Sequence, residues 1–239
     1  MRVLVTRPVE EARDTAAKLE RMGHAPVIAP LFEVRYLKTA DISLDGVQAV
    51  LVTSANGIRA LALHMSARDL PVFAVGRRSA EVARALGFHH VESADGDAGD
   101  LAALIARKLS ARSGALLHVG GIHVADHFGA LETAGFVVRR VSLYEARALK
   151  TPSLLIDSLR GNALDAALFF SPRAARIFAE RVRAAGLDAH CRRLLAACIS
   201  AAAADEILAL NFHEIRVAAR PDQEFLLGLL PVENGAPGL

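Results

Sequence analysis

The residues that could do chemistry gather in a few short segments. They are Thr6-Arg7-Pro8, Thr53-Ser54-Ala55-Asn56-Gly57, Gly76-Arg77-Arg78-Ser79, Gly120-Gly121, Ser171-Pro172-Arg173 and Ser200-Ala201. Each follows a short apolar run and precedes a helical pattern, so each reads as a strand-to-helix turn. In open parallel sheets, ligands bind beyond the carboxyl ends of the strands, where such turns gather. A helix start offers unpaired backbone N–H groups and the positive end of the helix dipole, which suits an anion. The candidate binding residues are therefore Arg7, Ser54, Asn56, Gly57, Ser79, Gly120, Ser171, Pro172 and Ser200. The plainer reading makes Ser54, Asn56, Ser79 and Ser171 ordinary helix caps. Several such turns with adjacent arginines favour a collective anion-binding cleft over any single assignment.

Other chemistries find less support. His123 and His127 stand four apart in a predicted helix, with Asp126 beside them and His118 upstream. That spacing puts two imidazoles on one face, as a metal site needs. Asp126 and His127 are adjacent and cannot share that face, and no Glu is placed as in HExxH. Surface or groove histidines are the favoured reading, and no metal is assigned. GxGxxG after the first strand, GxxxxGK[ST] and GxSxG are all missing, which leaves dinucleotide, ATP and hydrolase-elbow readings unsupported. Cys191 and Cys198 lack metal-ligand spacing and read as two inert thiols in a reducing compartment. Glu10-Glu11 suits the positive end of a helix without any catalytic role. Arg77-Arg78 and Arg139-Arg140 read as solvated faces, though the first pair could meet carboxylates at a cleft mouth.

The elements that must hold these turns alternate along the chain. Val3-Leu4-Val5 predicts a strand. Ala12, Ala16, Leu19 and Met22 form one helical face between Glu10 and Met22, stopped by Gly23. Strands are predicted at 26–30, 47–52, 72–75, 115–119, 137–141, 166–170, 194–199 and 214–217. Helices are predicted from Asn56, and over 78–86, 100–109, 122–134, 173–185, 201–210 and 223–230. Strand and helix in alternation imply a parallel α/β sheet. Residues 231–239 show no period and read as a flexible tail.

Composition agrees. Of 239 residues, 53% are hydrophobic and 23% charged, with Lys plus Arg at 28 and Asp plus Glu at 26. Such a chain is too apolar for intrinsic disorder, and two cysteines cannot make a disulfide scaffold. A net charge of +2 and the absence of Trp argue against a nucleic-acid partner. The charge-free stretch from Leu194 to Ala204 is too short to span a bilayer, and the start of the chain lacks the apolar region of a secretory signal. The chain reads as cytoplasmic, with no membrane partner.

A weak internal repeat runs through this pattern. The stretch from Val50 to Ala60 matches that from Ala167 to Ile177: a strand, a Ser at its carboxyl end, then a helix start. About twenty residues on, Phe73-Ala74-Val75-Gly76 corresponds to Ala197-Cys198-Ile199-Ser200. Segments 1–30 and 115–144 echo each other as strand, helix, Gly, strand. The order is A-B-A′-B′, two similar α/β units, either cut in tandem near 112 or interleaved.

The residues in this order resemble the uroporphyrinogen-III synthase family. The likeness covers residues 1–230. It rests on Val3-Leu4-Val5-Thr6-Arg7-Pro8, Val52-Thr53-Ser54-Ala55-Asn56-Gly57, and Phe73-Ala74-Val75-Gly76 with Ser79-Ala80. It continues through Gly120, Gly135, Val141-Ser142-Leu143-Tyr144-Glu145 and Phe169-Phe170-Ser171-Pro172. The resemblance implies two flavodoxin-like α/β/α domains, interleaved. Residues 1–34 with 146–230 would form the first and 37–142 the second. Phe32 to Leu37 and Val141 to Ala146 would form a two-stranded antiparallel linker.

It also implies the reaction: closure of the linear tetrapyrrole hydroxymethylbilane to uroporphyrinogen III. A terminal hydroxyl leaves as water and the last pyrrole ring is inverted, through a spiro intermediate, by a monomer with no metal or organic cofactor. A substrate with eight carboxylates suits a cleft of helix N-termini and Arg side chains. Tyr144 matches the family's linker tyrosine, and a phenol, with an ordinary pKa of about 10, can donate a proton at neutral pH. The competing reading of Tyr144 is a core aromatic with a satisfied hydroxyl. Ser54, Ser79 and Ser171 match positions lining the family's cleft. The chain departs from the pattern at Ser200-Ala201-Ala202-Ala203-Ala204, where the family carries Gly and then a Thr pair. A lost hydroxyl there removes one carboxylate contact, worth about 1.5–3 kcal/mol. The alternative function is a non-catalytic two-lobed binding protein for an anionic small molecule.

Overall fold

The computed structural model describes residues 1–38, 42–122 and 128–231. In chain order its elements are β1 (Arg2–Val5), α1 (Val9–Arg21), β2 (Ala25–Ile28), β3 (Phe32–Tyr36), β4 (Val47–Val52), α2 (Ala55–His64), β5 (Val72–Ala74), α3 (Arg77–Ala85), β6 (Val91–Ser93), α4 (Ala98–Lys108) and β7 (Ala115–Gly121). They continue with α5 (Gly129–Thr133), β8 (Val138–Ala148), α6 (Ser153–Arg160), β9 (Ala166–Phe169), α7 (Pro172–Ala184), β10 (Leu195–Cys198), α8 (Ala201–Asp205), β11 (Glu214–Val217) and α9 (Gln223–Leu227).

The chain divides into two compact units. One is Met1–Glu33 with the chain from Arg147 on, and the other is Val34–Ala146. The first unit holds a sheet ordered β2-β1-β9-β10-β11, parallel throughout. The second holds β3-β8-β7-β4-β5-β6, parallel from β8 to β6. Setting β3 aside, the two orders are the same. β1-α1-β2 corresponds to β7-α5-β8, and β4 to β6 correspond to β9 to β11. The repeat in sequence is a repeat of topology. Each sheet has the 2-1-3-4-5 order of a flavodoxin-like fold, and the second unit enters it at the third strand.

Strand periodicity explains why both faces are covered. In β1, Leu4 faces a core with Leu31, Phe169 and Phe178, while Val3 and Val5 face another with Leu19 and Leu226. In β4, Val50 and Val52 meet Ile58 and Leu61, while Ala49 and Leu51 meet Leu101, Ile105 and Phe128. Successive strand side chains point to opposite faces, and parallel sheets bury both. Each fully buried Val, Leu or Ile contributes about 1.5–3 kcal/mol.

Some elements differ from the sequence expectation. The helix predicted over 122–134 is described only as the five residues of α5, and 123–127 lie outside the described residues. The helix predicted over 201–210 stops at Asp205, and a 3₁₀ turn at Leu208–Leu210 ends at Asn211 with φ 51°. There Ile207 and Leu210 are buried at the i, i+3 spacing that a 3₁₀ turn aligns. The helix predicted over 223–230 ends at Leu227. Helix α6 was not expected, although Leu155 and Leu159 are its buried i, i+4 pair. Strand β6, Val-Glu-Ser, is an edge of three residues with no alternation to read. The predicted tail lies outside the described residues beyond Pro231. No helix among the described residues is long and apolar enough to cross a membrane.

In each sheet the strand order reverses once: between β1 and β9, and between β7 and β4. Ligand crevices of open α/β sheets open at such switch points, outside the strand carboxyl ends. Ser54 follows β4 and Gly121 ends β7. Arg7 follows β1 and Ser171 follows β9.

Candidate functional site

In the second unit, three strands converge on one hydroxyl pair. Ser54 Oγ lies 2.9 Å from Tyr144 Oη. Ser54 is the N-cap of α2, and its Oγ accepts the Gly57 N–H at 3.2 Å. Tyr144 stands on β8, buried, in the core that contains Val50, Ile58 and Val119. Gly57 is required by space: a Cβ there would stand 2.8 Å from the Val119 carbonyl oxygen. The first turn of α2 therefore rests on the backbone of β7, which brings Ser54 to the switch point. With the Gly57 N–H occupying one lone pair of Ser54 Oγ, the hydroxyl proton is free to turn toward the phenol. Either oxygen can donate in this bond.

The other expectations for this unit fare differently. Asn56 lies inside α2, where its Oδ1 accepts from Arg59 Nη1 at 3.2 Å, so it does not cap the helix. Ser79 also lies inside its helix, α3, and is buried; the N-cap is Gly76, which has no side chain to contribute. Both cap readings are thereby corrected, because each helix begins before the polar residue. Gly120 sits within β7, paired with Ser142, rather than in a turn. The strand runs on because its ladder to β8 continues through Gly121.

In the first unit, the carboxyl ends of β1 and β9 are tied by Thr6, whose Oγ1 donates to the Leu168 carbonyl at 3.2 Å. Arg7 is committed to protein partners. Its Nη2 and Nε donate to Glu11 Oε2 at 2.6 and 3.1 Å, and its Nη1 to Thr15 Oγ1 and Gln223 Oε1 at 3.2 and 2.9 Å. Its guanidinium also lies 4.1 Å above the Phe170 ring centroid. Ser171 caps α7, accepting the Ala174 N–H at 3.1 Å, and Pro172 occupies the first position of that helix. Pro is suited there because its missing N–H would have no helical partner. Ser200 caps α8, accepting the Ala203 N–H at 3.4 Å. With only five residues, α8 carries a small dipole.

Cys191 and Cys198 are buried, and burial pushes both thiols up to about 12, with Asp188 adding to the effect at Cys191. A thiol so protonated is neither nucleophile nor metal ligand at neutral pH. Among the described residues, no three His, Cys, Asp or Glu side chains are arranged to hold a metal. His118 is buried against Phe128, ring centroids 4.7 Å apart; His123, Asp126 and His127 lie outside the described residues.

Sequence reasoning placed Gly121 in a turn and missed that the Tyr144 ring rests on it. It also missed Glu11, Gln223 and Phe170 as partners of Arg7. Only Glu11 had a signal, its acid charge four residues beyond Arg7.

Comparisons with known proteins speak to the family and the fold. The family model of uroporphyrinogen-III synthase HemD matches residues 13–228. A Methanocaldococcus jannaschii protein named "Putative uroporphyrinogen-III synthase" is 38% identical over 58 residues, 24% of this chain and 24% of that protein's length. The crystal structure of uroporphyrinogen-III synthetase from Helicobacter pylori superposes with a TM-score of 0.61 at 16% identity, covering 95% of this chain and 96% of that one. A mutant uroporphyrinogen III synthase from Thermus thermophilus gives a TM-score of 0.54 at 19% identity, covering 95% and 96%. At these identities the two structures speak for the fold.

Proposed function

The chain belongs to the uroporphyrinogen-III synthase family, cyclising lyases of haem biosynthesis, and we propose that Tyr144 is the proton donor of that reaction in this chain. The observation that carries the reading is the 2.9 Å contact between the Tyr144 phenol and the Ser54 hydroxyl at the β7/β4 switch point. Hydroxymethylbilane must lose a hydroxyl as water, and a hydroxyl leaves readily only when protonated. A phenol is protonated at neutral pH and can supply that proton. As charge develops on the phenol oxygen, the Ser54 O–H turned toward it stabilises the oxyanion.

Within the second unit, carboxylates of the substrate are taken by backbone N–H groups at the starts of α2 and α3, where Ser54, Asn56 and Ser79 stand. Arg7 braces its turn through Glu11 rather than serving as a carboxylate ligand. The short α8 contributes least, since Ala202 and Ala203 stand where the family carries a Thr pair and offer no hydroxyl. The enzyme acts as a cytoplasmic monomer.

The test is product identity. Hydroxymethylbilane mixed with the purified chain should give the type III isomer, while the spontaneous reaction gives type I. Type I alone, with tight binding of added type III product, would instead favour a binding protein. The Tyr144→Phe variant separates the donor role from the family reaction.

A further inference from the structure

Strand β7 lies between β8 and β4, so the Tyr144 ring reaches Ser54 only by crossing over β7. Neighbouring strands run about 4.8 Å apart, which makes the crossing about 10 Å from backbone to backbone. The residue crossed is Gly121. A Cβ there would stand 2.8 Å from Cε2, 3.0 Å from Cζ and 3.3 Å from Cδ2 of Tyr144. Carbon atoms rest at about 3.5–4.0 Å, so no side chain at 121 can share this space with the ring. The glycine is not explained by its backbone. Gly121 lies in a strand and is not among the glycines with positive φ. A strand glycine is otherwise a cost, since it loses entropy on folding and packs nothing.

The strand opposite is irregular at the same place. Gly120 pairs with Ser142 and Gly121 with Tyr144, so β8 carries one extra residue, Leu143. A regular pleat would send Leu143 and Tyr144 to opposite faces, yet both enter the same core. The bulge re-aims Tyr144, and the ladder then resumes with the Ile122 N–H donating to the Tyr144 carbonyl at 3.0 Å.

We infer that Gly121 is a positioning residue of the reaction: the vacant place of its side chain seats the Tyr144 ring, so that the phenol meets Ser54. This rests on the reading of Tyr144 as proton donor. A methyl at 121 lifts the ring and moves the phenol, and a displacement of about 1 Å costs up to about 100-fold in rate.

The test is a double-mutant cycle in the full chain with hydroxymethylbilane as substrate. Gly121→Ala should lower kcat about 10-fold to 100-fold with little change in KM, and should add no further loss in a Tyr144→Phe background. Losses that multiply, beside an impaired Tyr144→Phe, would overturn the Gly121 role alone. Tyr144→Phe at full rate would overturn the donor reading and, with it, any role for Gly121 in catalysis. A second readout follows ring position directly. The chain has two tyrosines and no tryptophan, so Tyr36→Phe leaves Tyr144 as the sole near-ultraviolet tyrosine signal. Gly121→Ala should change that circular-dichroism band, and an unchanged band overturns the seat. If Gly121→Ala fails to fold, truncating the ring with Tyr144→Ala in the same chain should restore folding; continued failure means the glycine serves something else, and the inference falls.

Discussion

Ser54 Oγ lies 2.9 Å from Tyr144 Oη and accepts the Gly57 N–H at 3.2 Å, so one oxygen serves as helix cap and phenol partner together. The helix cap holds the serine where the phenol needs it. The phenol in turn is a partner that a surface cap would lack. Stability and chemistry at this site are therefore separable by substitution.

Tyr144→Phe keeps the ring on Gly121 and removes only the hydroxyl. Loss of one net hydrogen bond costs about 0.5–1.5 kcal/mol. Loss of a general acid costs about 100-fold or more in kcat. The expected result is a urea midpoint lowered by no more than that hydrogen-bond cost, with formation of the type III isomer lowered about 100-fold or more. Ser54→Ala should show the reverse emphasis. Its lost cap costs about 0.5–2 kcal/mol, while the phenol remains and the rate falls less. Chromatography of the isomers beside urea unfolding checks both, and equal rates in Tyr144→Phe and the parent would remove the donor role.

Gly57→Ala should destabilise the protein although it improves helix propensity. Alanine gains about 1 kcal/mol over glycine inside a helix. Against that, its methyl would stand 2.8 Å from the Val119 carbonyl, a backbone atom held in the sheet. Overpacking of this kind costs about 1–3 kcal/mol, so the clash wins or at best cancels the gain. Gly129→Ala supplies the control, because a Cβ at the start of α5 meets nothing within 4 Å. Unfolding midpoints should fall for the first variant and hold or rise for the second. A stabilised Gly57→Ala would mean that α2 can shift away from β7.

Arg7→Lys tests whether the arginine is a brace or a ligand. Lysine keeps the charge but loses the planar fork that reaches Glu11, Thr15 and Gln223 at once. The Arg7–Glu11 pair is only 14% exposed on each side, so the loss should register as about 1–3 kcal/mol of stability. KM for hydroxymethylbilane should change little. A large rise in KM at unchanged stability would return Arg7 to the carboxylate-binding set.

The fold was legible wherever a strand is buried on both faces. Val3-Leu4-Val5, Ala49 to Val52 and Ala166 to Phe169 stand out as apolar runs for that reason. Val91-Glu92-Ser93 is a strand only because β5 lies beside it, a fact no local pattern contains. The serines were legible as hydroxyls after strands, but cap and ligand roles look alike in sequence. Pairing of Ser54 with Tyr144 across 90 positions depends on β7 lying between β4 and β8. Gly121 was read as part of a turn, the usual reason for a glycine. Its actual reason is the volume of a ring from another strand, which leaves no mark on neighbouring residues.

The two thiols give a pH signature with a definite sign. Burial raises Cys191 and Cys198 from 9.0 to about 12 in the folded chain, so the folded state holds these protons more tightly than the unfolded state. Below pH 9 both states are protonated and the thiols add no pH dependence. As pH rises above 9, the unfolded chain ionises first and gains stability relative to the folded one. Folding stability then falls by about 1.4 kcal/mol per pH unit for each thiol, until the folded thiols ionise as well. Between pH 8 and pH 10.5 the pair should cost about 4 kcal/mol. The informative quantity is a difference, which removes what the rest of the chain contributes. Urea unfolding of the parent and of a Cys191→Ala/Cys198→Ala variant should give curves that run parallel below pH 9 and diverge above it, with the parent falling faster. The variant's small cavities cost the same at every pH and drop out of the slope. Parallel curves up to pH 10.5 would mean that the thiols reach solvent in the folded chain, and would reopen them to chemistry.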